Sequence, residues 1–281
     1  MTLERVAFEG FEGVRLENGA GAVVIGISAG PRILGLIGQV GNLLAILPDA
    51  GIDRPGGARY RFLGGHRLWA APETPEVTYQ PDERPCTVTG VERGLRVEAP
   101  PDGAGLVKVM EVQPIPGGWV VDHALRNESA GPMTIAPWAI TQFPLGGEMI
   151  MATAAAGDGP QANRSLVLWP YTNLGDPRIR FDRDTVRIDA ARGASPLKLG
   201  AAPSLGWTAY RLQSTVFKKH VAVDGGATYA DRGAAVQVYL CDEFCELETL
   251  GPVRTVEPGG SATHRERWLL SREHPDGGDQ A

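Results

Sequence analysis

The sequence predicts an all-β protein built as one large antiparallel sandwich. Its 37 glycines and 22 prolines fall at intervals of roughly 8 to 12 residues between short runs of alternating apolar residues, the pattern of many strands joined by turns. No apolar repeat of helical period continues beyond about three turns. Because no linker-like stretch divides the chain, we expect a single domain over residues 1–272 and a disordered tail over residues 273–281.

Several turns and strands can be placed from the local pattern. Proline and glycine occur where a tight reversal needs them in the segments 113–118, 127–132 and 256–260, so each segment predicts a hairpin connection. Alternating apolar residues on either side of these turns predict extended chain. The clearest strands are predicted at residues 22–27, 106–112, 119–125, 236–240 and 264–270.

The composition argues against several classes of partner. The net charge is -6 and the basic residues are scattered, so we expect no nucleic-acid partner. Cys86, Cys241 and Cys245 form neither a CxxC pair nor a Cys/His ligand pattern, which predicts no disulfide framework and no zinc site. We expect no metal ion and no cofactor. The first residues lack the apolar run of a signal peptide, and no stretch approaches about 18 apolar residues. We therefore expect a cytoplasmic protein that does not bind a membrane.

A pair of carboxylates near the C-terminus is the most informative feature of the sequence. Glu246 and Glu248 are two residues apart in a segment with strand character, so both point to one face of the sheet and Leu247 points to the other. Two carboxylates on one face are a candidate functional pair. The alternative is a solvated sheet face, which is the commoner position for glutamate.

A second cluster combines several residue types that bind sugars. His66, Arg67, Trp69 and Glu73 follow the two glycines at 64–65, which allow the backbone to approach a ligand closely. An aromatic face can stack on a sugar ring, Arg and Glu can bind hydroxyl groups, and His can move protons near neutral pH. The alternative is a turn with a buried tryptophan and a surface histidine.

Other candidate ligand contacts are spread along the chain. His123 shares a strand face with large apolar residues, where a histidine is more often a hydrogen-bonded core residue. Several tryptophans lie beside amide and charged side chains, a mixture that binds polyols, although tryptophans in a large sandwich are commonly core residues. The paired carboxylates also leave glycoside hydrolysis open as a chemistry. The further candidate binding residues are Trp138, Gln142, Asn163, Arg164, Trp169, Lys198 and Trp207.

One motif resembles a known family. Leu247-Glu248-Thr249, with Pro252 soon after it and a Pro258-Gly259 turn before the last strand, resembles the C-terminal signature of the galactose mutarotase (aldose 1-epimerase) superfamily. With the segments around His66, Trp138, Trp169 and Lys198, the resemblance covers residues from about 5 to 272. It implies an antiparallel β-supersandwich that binds a monosaccharide on the concave face of a sheet.

The resemblance also implies roles for single residues. Glu248 takes the position of the family's general base, and His66 falls where an active-site histidine occurs. Gln142 stands where the family has its central proton-donating histidine, and a neutral amide cannot deliver a proton. Two hypotheses follow: an aldose 1-epimerase-like enzyme that uses Glu248 and His66, or a non-catalytic sugar-binding or sensing domain.

The expected ligand is a small sugar of aldohexose size. Arg164 and Lys198 extend this expectation to an anionic sugar, because a neutral hexose needs no pair of cations. A lyase or hydrolase that acts on an oligosaccharide is a third possibility and would need an open groove.

Overall fold

The computed structural model of this chain describes residues 4–54, 57, 59–155, 157, 159–191, 195–202 and 204–272. The predicted disordered tail, residues 273–281, lies outside the described residues. Within these ranges, no helix has the length and apolar content needed to cross a membrane.

The described residues form 24 strands and one short helical segment, α1 (Ala230–Gly233). In α1, Asp231 and Arg232 have φ values of 51° and 58°, so this segment is a left-handed turn. The strands are β1 (Glu4–Phe8), β2 (Phe11–Asn18), β3 (Gly21–Gly26), β4 (Arg32–Gly38), β5 (Gly41–Asn42), β6 (Ile46–Asp53), β7 (Arg59–Gly64), β8 (His66–Ala71), β9 (Thr87–Val91), β10 (Gly94–Glu98), β11 (Leu106–Ile115), β12 (Gly118–Asn127), β13 (Met133–Phe143), β14 (Glu148–Ala152), β15 (Ser165–Leu168), β16 (Ile179–Phe181), β17 (Thr185–Asp189), β18 (Leu197–Ala202), β19 (Trp207–Leu212), β20 (Thr215–Val221), β21 (Val236–Leu240), β22 (Cys245–Leu250), β23 (Arg254–Val256) and β24 (Ser261–Arg272).

The strands are arranged in two large sheets and one hairpin. The first sheet has 12 strands, ordered β1-β2-β3-β4-β8-β13-β22-β21-β18-β15, with β5 beside β4 and β23 beside β13. The second has 10 strands, ordered β16-β17-β14-β19-β20-β24-β12-β11-β10-β9, and β6 pairs with β7 separately. Neighbouring strands run antiparallel, for example β13 against both β8 and β22. The predicted all-β antiparallel sandwich is therefore confirmed.

The two large sheets pack face to face around an apolar core. Leu247 and Phe143 of the first sheet belong to the same buried cluster as Trp119, Val121 and Trp268 of the second sheet. The outer face of the first sheet is also partly covered, because all six residues of β22 are buried. On this strand Cys245, Leu247 and Thr249 point inwards, whereas Glu246 and Glu248 lie on the outer face, as the alternation predicted.

A polar network interrupts the apolar core between the sheets. Lys219 Nζ lies 2.9 Å from Glu266 Oε1, and both side chains are fully buried. Glu266 also accepts hydrogen bonds from Trp268 Nε1 at 2.8 Å and from the Thr249 hydroxyl. We use the name inter-sheet network for the seven buried polar residues between the sheets. They are His66, Thr141 and Thr249 of the first sheet, and His123, Lys219, His264 and Glu266 of the second.

One assignment of protons satisfies the histidines of the inter-sheet network. Lys219 donates to Thr141 Oγ1 (3.2 Å), whose hydroxyl then donates to His66 Nδ1 (2.9 Å). His66 Nε2 donates to His123 Nε2 (2.7 Å), and His123 Nδ1 donates to the carbonyl of His264 (3.2 Å). Because the Thr249 hydroxyl donates to Glu266, it accepts from His264 Nε2 (2.7 Å). Each imidazole then carries one proton, so the positive charge beside Glu266 comes from Lys219.

The inter-sheet network contains one group of atoms that could bind a metal ion. The ligand atoms of His66, His123 and Glu266 all lie within 4.8 Å of one another. Lys219, however, already gives Glu266 a cationic partner, and a divalent ion would be repelled by that ammonium. The expectation of no metal stays a prediction.

The close approach of β7 and β8 to other strands depends on Gly64 and Gly65. Their φ values are 84° and 74°, in the left-handed region that favours glycine. A Cβ at Gly64 would lie 2.1 Å from the Ala45 carbonyl oxygen, and one at Gly65 would lie 2.3 Å from the Ile33 carbonyl oxygen. These glycines therefore allow contact with neighbouring backbone, whereas the sequence suggested contact with a ligand.

We predict that Gly65→Ala destabilises the protein by roughly 2 to 4 kcal/mol, because it combines an unfavourable φ with a backbone clash. Gly90→Ala is the matched control, since no atom lies within 4 Å of its added Cβ. Urea denaturation of both variants measures the difference in unfolding free energy. Equal losses in the two variants would contradict the prediction.

A second prediction concerns the pH dependence of stability. Burial lowers the pKa of His66 and His123 and brings that of His264 to about 3. Below the unfolded value of about 6.5, the unfolded state therefore binds more protons than the native state. The unfolding free energy should fall as the pH drops from about 6.5 towards 3.

Urea denaturation between pH 8 and pH 4 measures this slope. His264→Gln should make the slope shallower, because this variant cannot take up a proton at this position in either state. An identical slope in the wild type and the variant would show that His264 does not contribute.

Candidate functional site

A cavity of about 470 Å³ opens on the outer face of the first sheet. Its walls come from β8, β13, β18, β21 and β22, from the β6–β7 hairpin, and from the loops after β8, β15 and β21. The cavity brings together Trp69, Trp138 and Trp169, which lie far apart in the sequence. The predicted site residues that line it are Arg67, Trp69, Glu73, Trp138, Trp169, Lys198 and Glu246.

Glu246 is the carboxylate of the predicted pair that reaches the cavity. Its Oε1 accepts hydrogen bonds from Arg67 Nη2 (3.0 Å) and Gln142 Nε2 (2.9 Å). The strand register places Gln142 directly opposite Glu246. Burial raises the pKa of Glu246, although the neighbouring Arg67 opposes this rise. Glu246 therefore takes up a proton more readily than an exposed glutamate does.

Glu248 lies on the same sheet face but beneath the cavity wall. It is 0% exposed, and its Oε2 accepts hydrogen bonds from Trp138 Nε1 and Lys198 Nζ, both at 2.7 Å. Its Oε1 is buried and has no hydrogen-bond partner in the described part of the chain. The predicted base is therefore held by two donors and covered by side chains that line the cavity.

Two cations of the cavity lie against aromatic rings. Lys198 Nζ is 4.6 Å from the ring centroid of Trp138 and 4.7 Å from that of Trp169. Arg67 Cζ lies 4.2 Å from the Trp69 ring and 5.1 Å from the Phe62 ring. The ring faces and the carboxylates of Glu246 and Glu248 together hold these cations in place.

The structure does not bring His66 and His123 into the cavity. His66 precedes Arg67 on β8, and successive strand residues point to opposite faces. Arg67 faces the cavity, so His66 points between the sheets, where it contacts His123 of the second sheet. Placing both His66 and Arg67 at one ligand was therefore inconsistent with strand geometry.

Three further predicted contacts lie outside the cavity. Asn163 is exposed, and its Nδ2 donates to the Ala155 carbonyl at 2.8 Å. Arg164 is exposed as well and binds the Arg183 carbonyl. Trp207 lies on β19 of the second sheet, where Lys218 Nζ is 4.0 Å from its ring. None of these three side chains lines the cavity.

Several cavity residues were missed in the sequence. Phe62, Tyr171 and Tyr239 add three aromatic side chains to the walls. The turn between β21 and β22 adds Cys241 and the segment 242–244, Asp-Glu-Phe. This turn directly precedes Glu246, so its two carboxylates and its Phe were a local signal that could have been noticed.

The fold is similar to that of solved sugar-epimerase-like proteins. No protein-family model matches the sequence, and no curated protein matches it either. A provisionally assigned aldose 1-epimerase from Escherichia coli K12 is 13% identical, with a TM-score of 0.56 over 92% of this chain and 98% of the other. A galactose mutarotase-like protein from Lactobacillus casei ATCC 334 is 10% identical, with a TM-score of 0.56 over 92% and 100%.

The same fold also occurs as part of a larger protein. A TPR-domain containing protein from Parabacteroides distasonis ATCC 8503 is 11% identical, with a TM-score of 0.60 over 94% of this chain and 48% of the other. At such low identities the similarity concerns the fold and not the activity. The chain therefore has the galactose mutarotase-like fold.

Proposed function

We propose that the protein binds a monosaccharide in the cavity on the outer face of the first sheet. The observation that carries this proposal is the convergence of Trp69, Trp138 and Trp169 on one cavity beside buried polar groups. Tryptophan faces stack on the C–H face of a sugar ring. Aromatic walls with a few well-placed polar groups are typical of small-molecule sites, and 470 Å³ is within their usual size.

The polar groups of the cavity retain unused hydrogen-bonding capacity. Arg67 is 1% exposed, and its Nε and Nη1 have no hydrogen-bond partner among the described residues. Both hydrogen bonds of Glu246 converge on Oε1, which leaves Oε2 available. A sugar hydroxyl both donates and accepts, so it can bind the arginine and the carboxylate together.

The charge of the cavity disfavours the anionic sugar that the sequence suggested. That expectation depended on Arg164 and Lys198. Arg164 lies outside the cavity, and Lys198 forms an ion pair with Glu248 at 2.7 Å. Arg67 is likewise paired with Glu246 at 3.0 Å. No unpaired cation lines the cavity within the described ranges, so we propose a ligand without negative charge.

We predict that Trp169→Ala weakens sugar binding by about tenfold, because it removes a stacking face and a support for Lys198. Trp207→Ala is the matched control, since it removes a tryptophan of the second sheet. Titration calorimetry with neutral hexoses measures both affinities. Equal affinities in the two variants would argue against this cavity as the site.

A second candidate function is aldose 1-epimerase-like catalysis by two carboxyl groups. The observation in its favour is the unpartnered Oε1 of Glu248 close to Glu246, whose pKa is raised. A Glu248 carboxylate would take the proton of the anomeric hydroxyl while a protonated Glu246 gives its proton to the ring oxygen. The ring C–O bond then breaks to form the open-chain aldehyde, and the reverse steps on the other face of the carbonyl give the second anomer.

The burial of Glu248 makes binding the better-supported function. A sugar hydroxyl could reach Glu248 only after the side chains above it move. Of the described histidines, His66, His123 and His264 lie between the sheets, and His220 lies on β20 of the second sheet. None of them can protonate a sugar in this cavity.

We therefore predict that the wild type binds sugar without accelerating anomer interconversion, which exchange NMR or polarimetry measures against buffer alone. The enzyme hypothesis predicts the opposite result: acceleration by the wild type and a loss of about 100-fold or more in Glu248→Gln. Calorimetry on the same variant would show whether binding is retained. Acceleration that disappears with Glu248 would replace the binding proposal by the epimerase.

A further inference from the structure

We infer that the sugar bound in this cavity is an amino sugar, and that the hairpin formed by β21 and β22 contributes the subsite for its ammonium group. This inference rests on the carbohydrate function proposed above and names the class of sugar. It reverses the charge that the sequence suggested for the ligand.

The first argument is the excess of carboxylates around the cavity. Four line it, and Glu248 lies just beneath, whereas Arg67 and Lys198 are the two cations among its described lining residues. Each of these cations is already paired with a glutamate. In the described part of the chain, no cation is paired with the other three lining carboxylates. These are Glu73, Asp242 and Glu243.

The tyrosines of the cavity respond to this negative charge. Burial raises the pKa of Tyr171, and Glu248, Glu73 and Glu246 raise it further. Burial also raises the pKa of Tyr239, with Cys241 and Glu246 adding to the effect. Glu73, Asp242 and Glu243 are exposed, so solvent partly screens their charge, but a site with an excess of negative charge still concentrates cations and repels anions.

The second argument is that the aromatic walls already bind cations. Lys198 lies between two tryptophan rings, and Arg67 lies over the rings of Trp69 and Phe62. Tyr239 and Phe244, whose ring centroids are 6.0 Å apart, line the cavity without a cation of their own among the described residues. Aromatic rings combined with carboxylates are the usual environment for an ammonium group in a protein.

The hairpin concentrates these features in one short segment. Tyr239 and Glu246 are paired across β21 and β22, and the turn between the strands carries Asp242, Glu243 and Phe244. Glu246 is 6% exposed, and its Oε2 is not engaged by Arg67 or Gln142. An ammonium group on the sugar can donate to this oxygen and lie against the two rings, with the turn carboxylates nearby.

The chemistry distinguishes an amino sugar from its relatives. The parent hexose has a hydroxyl in place of the ammonium group and forms only neutral-donor hydrogen bonds there. An N-acetylated amino sugar loses the charge, and a uronate would bring its carboxylate close to five others. The order of affinity should therefore be amino sugar, then neutral hexose and N-acetyl sugar, then uronate.

Titration calorimetry on the full chain tests this order with glucosamine, galactosamine, glucose, galactose, N-acetylglucosamine and glucuronate. The expected result is a preference of about tenfold or more for an amino sugar over its parent hexose. This preference should shrink at high salt and disappear at a pH where the amine is deprotonated.

A charge-removing variant locates the subsite. In Asp242→Asn with Glu243→Gln, the ratio of the amino-sugar affinity to the parent-hexose affinity, both measured on this variant, should fall below about threefold. The matched control is Glu92→Gln with Glu257→Gln, which removes the same charge from two exposed turns outside the cavity. The control should retain the full preference.

The outcomes separate this inference from the proposed function. Equal affinities for amino sugar and parent hexose, or tighter binding of glucuronate, would overturn the inference and leave sugar binding intact. A preference that survives the hairpin variant would overturn the assigned subsite. Failure of all six sugars to bind would overturn both the inference and the proposed function.

Discussion

The alternation of side chains across the first sheet is the constraint on which both polar regions of this molecule depend. On three central strands, the side chains of neighbouring residues point to opposite faces of the sheet. The pairs are His66 and Arg67 on β8, Thr141 and Gln142 on β13, and Glu248 and Thr249 on β22. One member of each pair belongs to the inter-sheet network and the other to the cavity or its floor. A shift of one residue in either pairing would therefore exchange the two sets and leave buried charges without partners.

The inter-sheet network has to be complete because it is enclosed by apolar side chains. Glu266 is surrounded by three donors, and Lys219 is the cation among them. Burial alone would raise the pKa of Glu266, yet the neighbouring Lys219 ammonium holds it below its usual range. Removing either Lys219 or Glu266 would leave the other as an unpaired buried charge, which costs about 3–5 kcal/mol. We infer that the need to keep these buried charges paired helps to fix the register of β8, β13 and β22. The register in turn fixes the geometry of the cavity on the other face of the sheet.

Local pattern predicted strands and the positions of turns because both are properties of neighbouring residues, but it did not predict which strands the turns pair. Segment 113–118 joins the paired strands β11 and β12 as a hairpin, whereas segments 127–132 and 256–260 each connect a strand of one sheet to a strand of the other, so the hairpins predicted there were wrong. The predicted strand at 236–240 coincides with β21, and alternation correctly placed Glu246 and Glu248 on one face. It could not predict which distant strands meet, so Asn163, Arg164 and Trp207 were grouped with the cavity although they lie elsewhere. The grouping of His66 with Arg67 is a different failure: it came from the mixture of residue types in one short segment, although the two-residue period of a strand already places neighbours on opposite faces.

The fold and the site carry different information about this protein. A fold shared at 13% identity with an epimerase-like structure does not determine which chemical groups line the cavity of this chain. Proton transfer to a sugar would require an acid and a base that the sugar can reach. In this chain the cavity is instead lined by carboxylates and aromatic rings. Its two cations, Arg67 and Lys198, already show how that combination holds positive charge. Because such groups act in the same way on a cation from the protein or from a ligand, this internal pairing supports our proposal that the remaining surface of the cavity selects a cationic ligand.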